Sequence, residues 1–355
     1  MRLKKDLEKA ALNILDSGRP LLTHLNADTS WVLTLPYPPG VTPPCGRVLL
    51  NILIDPWLVG SQKDYFSWFS KQWHVIPSSV QSIAELNDCL GTMETTIRSR
   101  QEYPAASIDT STSPLERSNA NYIDLVVISH EFTDHCNQKT LREIASSTPV
   151  LASKPAARLI SSWRHFQHVH SIAAFSDKQH DWKNASIAGI PSWVRIARII
   201  SNKDAMSFHS AILVTFNIMS STADASIEAL VYTPHGINAE DLKPLCSASP
   251  QISVLALLHG LHDIRLSRRQ LNLGAHNALR AQRISASRYW LSTHDEVKKA
   301  GGLVNHFLRR TIWTIEDVLE EEKRRNEILH TGSPLADIRD THFANLESGE
   351  SLLLR

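Results

Sequence analysis

The feature that most restricts what this 355-residue chain can fold into is the run Ile123-Asp124-Leu125-Val126-Val127-Ile128-Ser129, followed at once by His130-Glu131-Phe132-Thr133-Asp134-His135. A short apolar run rich in β-branched residues is a strand covered on both faces, so structure must lie above and below it. The residues after it are titratable and metal-ligating. They leave the strand at its carboxyl end, where a loop can bring imidazoles and a carboxylate onto one ion without stranding a charge in the core. The plain alternative for a His-x-x-x-Asp-His string is a set of surface and capping residues.

The pattern around this unit is mixed α and β. Residues 1 to 17 carry Leu3, Leu7, Ala11 and Leu15 at helical spacing, closed by Gly18-Arg19-Pro20. Strands are expected at 30–35 and 48–54, an antiparallel pair across the Pro- and Gly-rich stretch 36–46. The pattern weakens between about 60 and 120. Residues 104–119 are rich in Ser, Thr, Asp, Asn and Pro, so this stretch reads as an insertion with a flexible tip. Beyond the central strand come a helix at 139–146, a strand at 149–152 and a helix at 156–163. Strands at 185–190, 211–216 and 229–232 form a second sheet, and 252–258 is a further buried strand. A helix at 271–287 leads into a strand at 289–292 that ends at Thr293-His294-Asp295-Glu296, and a charged helix at 314–328 opens a C-terminal helical extension to residue 355. The whole reads as a single domain.

Lys plus Arg (37) nearly equals Asp plus Glu (36), so no net field draws the chain to nucleic acid. No apolar run of about 18 residues suggests a membrane span, and the N-terminus lacks the apolar core of a signal peptide. The four cysteines form no C-x-x-C pair, which suits a reducing, cytoplasmic setting.

At Ser129 to His135 the chain resembles the metallo-β-lactamase superfamily, whose hallmark H-x-H-x-D-H follows a strand of this kind. Within it, the likeness is to the branch of N-acyl-phosphatidylethanolamine phospholipase D and lactonase-like hydrolases. Asp55-Pro56-Trp57 matches the early D-P-W/F turn of that branch, and Thr293-His294 sits where the last metal histidine is found. The chain is also similar to fungal proteins sharing T-P-H-G, L-L-H-G-L-H and T-H-D-E elements, here Thr233 to Gly236, Leu257 to His262 and Thr293 to Glu296. The resemblance implies a four-layer αββα sandwich. It departs from the hallmark at Phe132, which stands in place of the second histidine. A third histidine expected near Pro191-Ser192-Trp193-Val194 is missing, and His235 stands nearest the position of the bridging aspartate.

One of two metal sites is thus expected to persist. Its ligands are Asp134, His135 and His294, with His235 as a fourth and His130 as an outer ligand. The ion is a single divalent metal, zinc first, with iron or manganese also suited. His130, Asp134 and His276 are the expected catalytic residues, and Asp55, Phe132, Trp193, His259 and His262 the expected pocket residues. His24 and Cys136 read as structural. The implied activity is hydrolysis of a small, hydrophobic ester, thioester, lactone or amide. The rival is a non-hydrolytic cyclase, isomerase or lyase using histidine acid-base chemistry, in secondary metabolism.

Overall fold

The computed structural model of the protein describes residues 2–63, 71–100, 121–176, 189–201, 208–218, 227–301, 307–328 and 342–355. Two sheets stack face to face. The first has seven strands in the order Ser351–Leu353, Leu21–His24, Trp31–Pro36, Leu49–Ile54, Leu125–Ile128, Val150–Ala152 and Val169–Ser171. Its last four strands are parallel and the others antiparallel. The second has six, in the order His342–Ala344, Tyr289–Leu291, Ile252–His259, Ile227–Thr233, Ser210–Phe216 and Val194–Ile200. Here the first four are parallel and the last two antiparallel.

Side chains alternate across these strands, as the two-residue period of a strand requires. Trp31, Leu33, Leu35, Leu125 and Val127 fill the space between the sheets, whereas Val32, Val126 and Ile128 face outward into a separate core. That outer core is closed by the helices Arg2–Ser17, Ile83–Arg100 and Lys154–Ser162. On the far side, helix Ala275–Ser285 covers the second sheet and meets helix Ile315–Ile328 through Leu279, Trp290 and Val318. The architecture is therefore the αββα sandwich expected, and the central strand is buried on both faces. Among the described residues, no helix is long and apolar enough to cross a membrane.

The helix expected at 139–146 is the single turn Gln138–Leu141, the one expected at 271–287 is Ala275–Ser285 after a strand at Arg269–Asn272, and three further elements differ from the sequence reading. Ile83–Arg100 is a helix within a stretch that showed little pattern, and it buries Ile83, Leu86, Leu90, Met93 and Ile97. Its Gly91 is a contact requirement, because a Cβ there would lie 2.6 Å from the Tyr122 ring. The strand expected at 185–190 is not formed at residues 189 and 190; the strand begins at Val194. The C-terminal segment forms its helix, but His342–Ala344 and Ser351–Leu353 then supply an edge strand to each sheet, so the chain end joins both layers. Residues 104–119, expected as a flexible tip, lie outside the described residues.

His24, read as structural, stacks on Trp31 with ring centroids 3.8 Å apart, and its Nδ1–H donates to the Leu346 carbonyl at 2.7 Å. Burial pushes its pKa down from 6.5 to about 4. The unfolded chain takes up this proton as pH falls below 6.5 while the folded one does not until about 4, so stability is lost across that window. His24→Phe should keep the stacking and remove this component. Urea denaturation should show the stability drop between pH 7 and pH 5 shrinking by about 2 kcal/mol, and an unchanged drop would contradict it.

Candidate metal centre

The parallel strands of both sheets end at one edge, where loops can converge without breaking the ladders. The first sheet delivers Asp55 after Leu49–Ile54 and the segment 129–135 after Leu125–Ile128. The second delivers His235 after Ile227–Thr233 and His294 after Tyr289–Leu291. The loop 25–30 turns at the same edge, held by Asn26, whose Oδ1 accepts from the backbone N–H of Asp28 (2.9 Å) and Ser30 (3.0 Å).

Four imidazoles meet there. Ring centroids are 4.7 Å apart for His130 and His235, 5.0 Å for His135 and His235, 5.2 Å for His135 and His294, and 5.0 Å for His235 and His294. Three of the rings are held from behind. His135 Nδ1 lies 2.7 Å from Asp55 Oδ2, His294 Nδ1 2.9 Å from Asp28 Oδ1, and His235 Nδ1 2.9 Å from Asn272 Oδ1. Carboxylate and amide oxygens only accept, so each Nδ1 carries the proton and donates, leaving the Nε2 lone pair facing inward. The Nε2 atoms of His130, His135 and His235 and the Oδ1 of Asp134 are buried without a hydrogen-bond partner.

The spacing suits a metal ion. Ligand atoms of His135, His235 and His294 lie within 4.8 Å of one another. Asp134 reaches between two of them, with Oδ1 3.7 Å from His135 Nε2 and Oδ2 3.8 Å from His294 Nε2. Tetrahedral ligands about 2.1 Å from zinc are about 3.4 Å from each other, so the two Asp134 contacts already stand close to that spacing, while the three histidine ligand atoms, within 4.8 Å of one another, would draw together on an ion.

The electrostatics favour the neutral form at three of the four rings. Burial, reinforced by neighbouring imidazoles, pushes His130 and His235 well below the ordinary histidine pKa, and burial also lowers His294 against the pull of Asp28. These rings are neutral and can offer lone pairs. His135 goes the other way: burial would lower it, but Asp134 and Asp55 outweigh that and raise it. Burial disfavours charge on Asp134 and Asp28 too, yet Lys298 and the adjacent imidazoles hold both carboxyls below their ordinary range. The Lys298 ammonium lies 2.7 Å from Asp28 Oδ2 and 3.1 Å from Asp134 Oδ2.

Asp55 is satisfied on every side. It accepts from the Ser129 backbone N–H at 2.8 Å, from the Ser129 hydroxyl, from Tyr232 Oη at 2.8 Å and from His135. Asp55 (φ 43°) and His294 (φ 60°) also adopt left-handed backbone, two of five described non-glycine residues to do so. Strain of this kind persists only where surrounding contacts fix it.

Neither a protein-family model nor a curated protein matches this sequence. Solved structures do. An isothiocyanate hydrolase from Delia radicum gut bacteria is 14% identical with a TM-score of 0.50, over 94% of this chain and 99% of that one. A protein from Veillonella parvula described as a possible metal-dependent hydrolase is 13% identical with a TM-score of 0.50, over 95% and 100% of the two chains. The fold is the metallo-β-lactamase αββα sandwich.

Within this fold, several residues expected at the site stand elsewhere. His276 approaches Glu321 at 2.9 Å and packs edge-on against Trp313, facing the outer helix. Trp193 precedes a strand whose first residue, Val194, pairs with Phe216, and it packs against Tyr37. That is six residues, about 20 Å, from the strand's site end. His259 is fully buried with Nδ1 donating to the Gly260 carbonyl and Nε2 accepting from Asn277, so it supports the turn at Gly236. His262 accepts at Nδ1 from Arg310 at 2.9 Å. Asp55 sits behind His135 and does not form a wall. Phe132 does face the imidazoles, stacked on Phe208 at 5.3 Å. Cys136 is a buried core residue, with its thiol pushed up by burial.

The sequence reading missed Asp28, Phe208, Tyr232, Asn272 and Lys298. The Asn26-Ala27-Asp28 turn between two apolar strands is the one local signal among them. Asp28→Asn and Asp55→Asn should each weaken divalent-metal affinity by about 10- to 100-fold, read by competition with a chromogenic chelator, while His276→Ala leaves it unchanged. Equal affinity in all three would contradict the arrangement.

Proposed function

We propose that this chain is a metal-dependent hydrolase with a mononuclear centre, its one divalent ion held by His135, His235 and His294 with Asp134 as the oxygen ligand. The observation that carries this reading is the buried set of unpartnered lone pairs described above, with rings fixed from behind at Nδ1. Buried polar atoms without partners are rare and call for an explanation. Three imidazole nitrogens and one carboxylate oxygen suit zinc, with iron(II) or manganese also compatible.

Charge supports one ion. Asp28, Asp55 and Asp134 contribute three negative charges against the single ammonium of Lys298, leaving two that a divalent cation cancels. When bound, such an ion acts as a Lewis acid and makes a hydroxide nucleophile available near neutral pH. The chain's own groups would do the rest. Neutral His130, beside His235, can accept or return a proton. Phe132 and Phe208 form an apolar wall, which favours a small hydrophobic ester, thioester, lactone or amide. Of the structures named above as sharing the fold, one is an isothiocyanate hydrolase and another a possible metal-dependent hydrolase. Cys89, Cys136 and Cys246 are free thiols, in keeping with a cytoplasmic setting.

A second reading, non-hydrolytic acid-base chemistry in secondary metabolism, draws on His130 lying within 6.4 Å of both Phe132 and Phe208 ring centroids. Protein purified without chelator should carry about one equivalent of transition metal, and a chelator or Asp134→Ala should abolish turnover across a panel of aryl esters, thioesters and lactones. Less than about half an equivalent, with turnover insensitive to chelation, would overturn the metal-dependent reading, and metal-free protein with no turnover of the panel would favour the second.

A further inference from the structure

Lys298 is an anomaly at such an edge. Lysine is among the residues least often buried, yet the Lys298 side chain is 5% exposed and its ammonium sits against three oxygens. These are Asp28 Oδ2 at 2.7 Å, Asp134 Oδ2 at 3.1 Å and Gln62 Oε1 at 3.4 Å, with the Trp57 ring 5.0 Å below. Two carboxylates and an amide oxygen gathered on one point make a donor set for a hard cation such as Mg²⁺ or Mn²⁺. Asp134 faces both ways: Oδ1 points to His135 and Oδ2 to Lys298.

We propose that the Lys298 ammonium holds the place of a second cation and limits this centre to one metal ion, so that removing it opens an all-oxygen site of Asp28, Asp134 and Gln62. The inference rests on the one-ion centre proposed above. With Lys298 in place, three carboxylates, one ammonium and one divalent ion sum to neutrality, and a second divalent ion would add two uncompensated charges to a buried site. Without Lys298 the same set with one divalent ion keeps one uncompensated negative charge, and two carboxylates that had shared an ammonium face each other directly.

The test counts ions. Wild type, Lys298→Arg, Lys298→Ala and Lys298→Gln are equilibrated with excess Mn²⁺ and desalted, and total metal per chain is measured by elemental analysis alongside Tm with and without added Mn²⁺. Wild type and Lys298→Arg should hold one ion, with Tm indifferent to further Mn²⁺. The Ala and Gln variants should hold two, with Tm raised by Mn²⁺. Ala and Gln variants that stay at one ion overturn the inference and leave the one-ion centre standing. A wild type that takes up two ions overturns it even if neither variant folds. A wild type that holds none removes the one-ion centre and the inference together.

Discussion

Three carboxylates buried at one sheet edge, Asp28, Asp55 and Asp134, set the conditions that the rest of this molecule meets. An ionised carboxylate taken out of water without partners is strongly unfavourable, and removing one partner of a buried pair typically costs about 3–5 kcal/mol. Each carboxylate is answered from a different part of the chain. Asp55 receives Ser129 and His135 from the first sheet and Tyr232 from the second; Asp28 receives His294 and Lys298; Asp134 receives Lys298 on one oxygen and nothing on the other. The bonds that solvate these charges are therefore also the bonds that fasten the two sheets at this edge. What they leave over is two negative charges and a cluster of inward lone pairs.

The same contacts explain why the backbone is strained where it is. Asp55 precedes a proline, which already restricts its conformation, and it still sits at φ 43° because its carboxylate is held by four donors. His294 sits at φ 60° with its N–H donating to the Asp28 carbonyl and its ring donating to the Asp28 carboxylate. Neighbouring residues of the same run tie down other loops. Asp295 accepts from the N–H groups of Leu261 and His262, and burial raises its carboxyl to about 7 against those bonds. Glu296 accepts from Val75 and Ile76. A four-residue segment thus fixes three loops around the centre, and its rings have little freedom to turn away.

How much of this was legible in the sequence follows from what is local in the chain. The strand Leu125–Ile128 and the histidines after it stand side by side in sequence, so strand, loop and candidate ligands could be read together. The second-sheet strands Ser210–Phe216, Ile227–Thr233 and Ile252–His259 carried enough β-branched residues to show. Helix Ile83–Arg100 did not, because Asn87, Gly91 and a series of threonines dilute an apolar stripe confined to one face. Trp193 was assigned to the site because it stands where the resemblance places the third histidine, but its strand starts at the opposite end of the sheet. His276 lies on the outward side of its helix. Adjacent helical positions differ by about 100°, and it is Asn277 that turns inward to His259 and the Ile237 carbonyl. Asp28 and Lys298 acquire their meaning only from a contact that folding creates across 270 positions, and no local pattern announces it.

The fold alone would permit many chemistries, and it is the site that restricts them. On the function proposed here, a centre with fixed imidazoles, a shared carboxylate and an internal ammonium balances the charge of a single divalent ion. The most direct measurement is anomalous diffraction at the metal absorption edge from crystals of protein purified without chelator. One peak within bonding distance of Nε2 of His135, His235 and His294 and of the Asp134 carboxylate is the expected result. No peak among those atoms, or a second peak between Asp28 and Asp134 with Lys298 displaced, would contradict it.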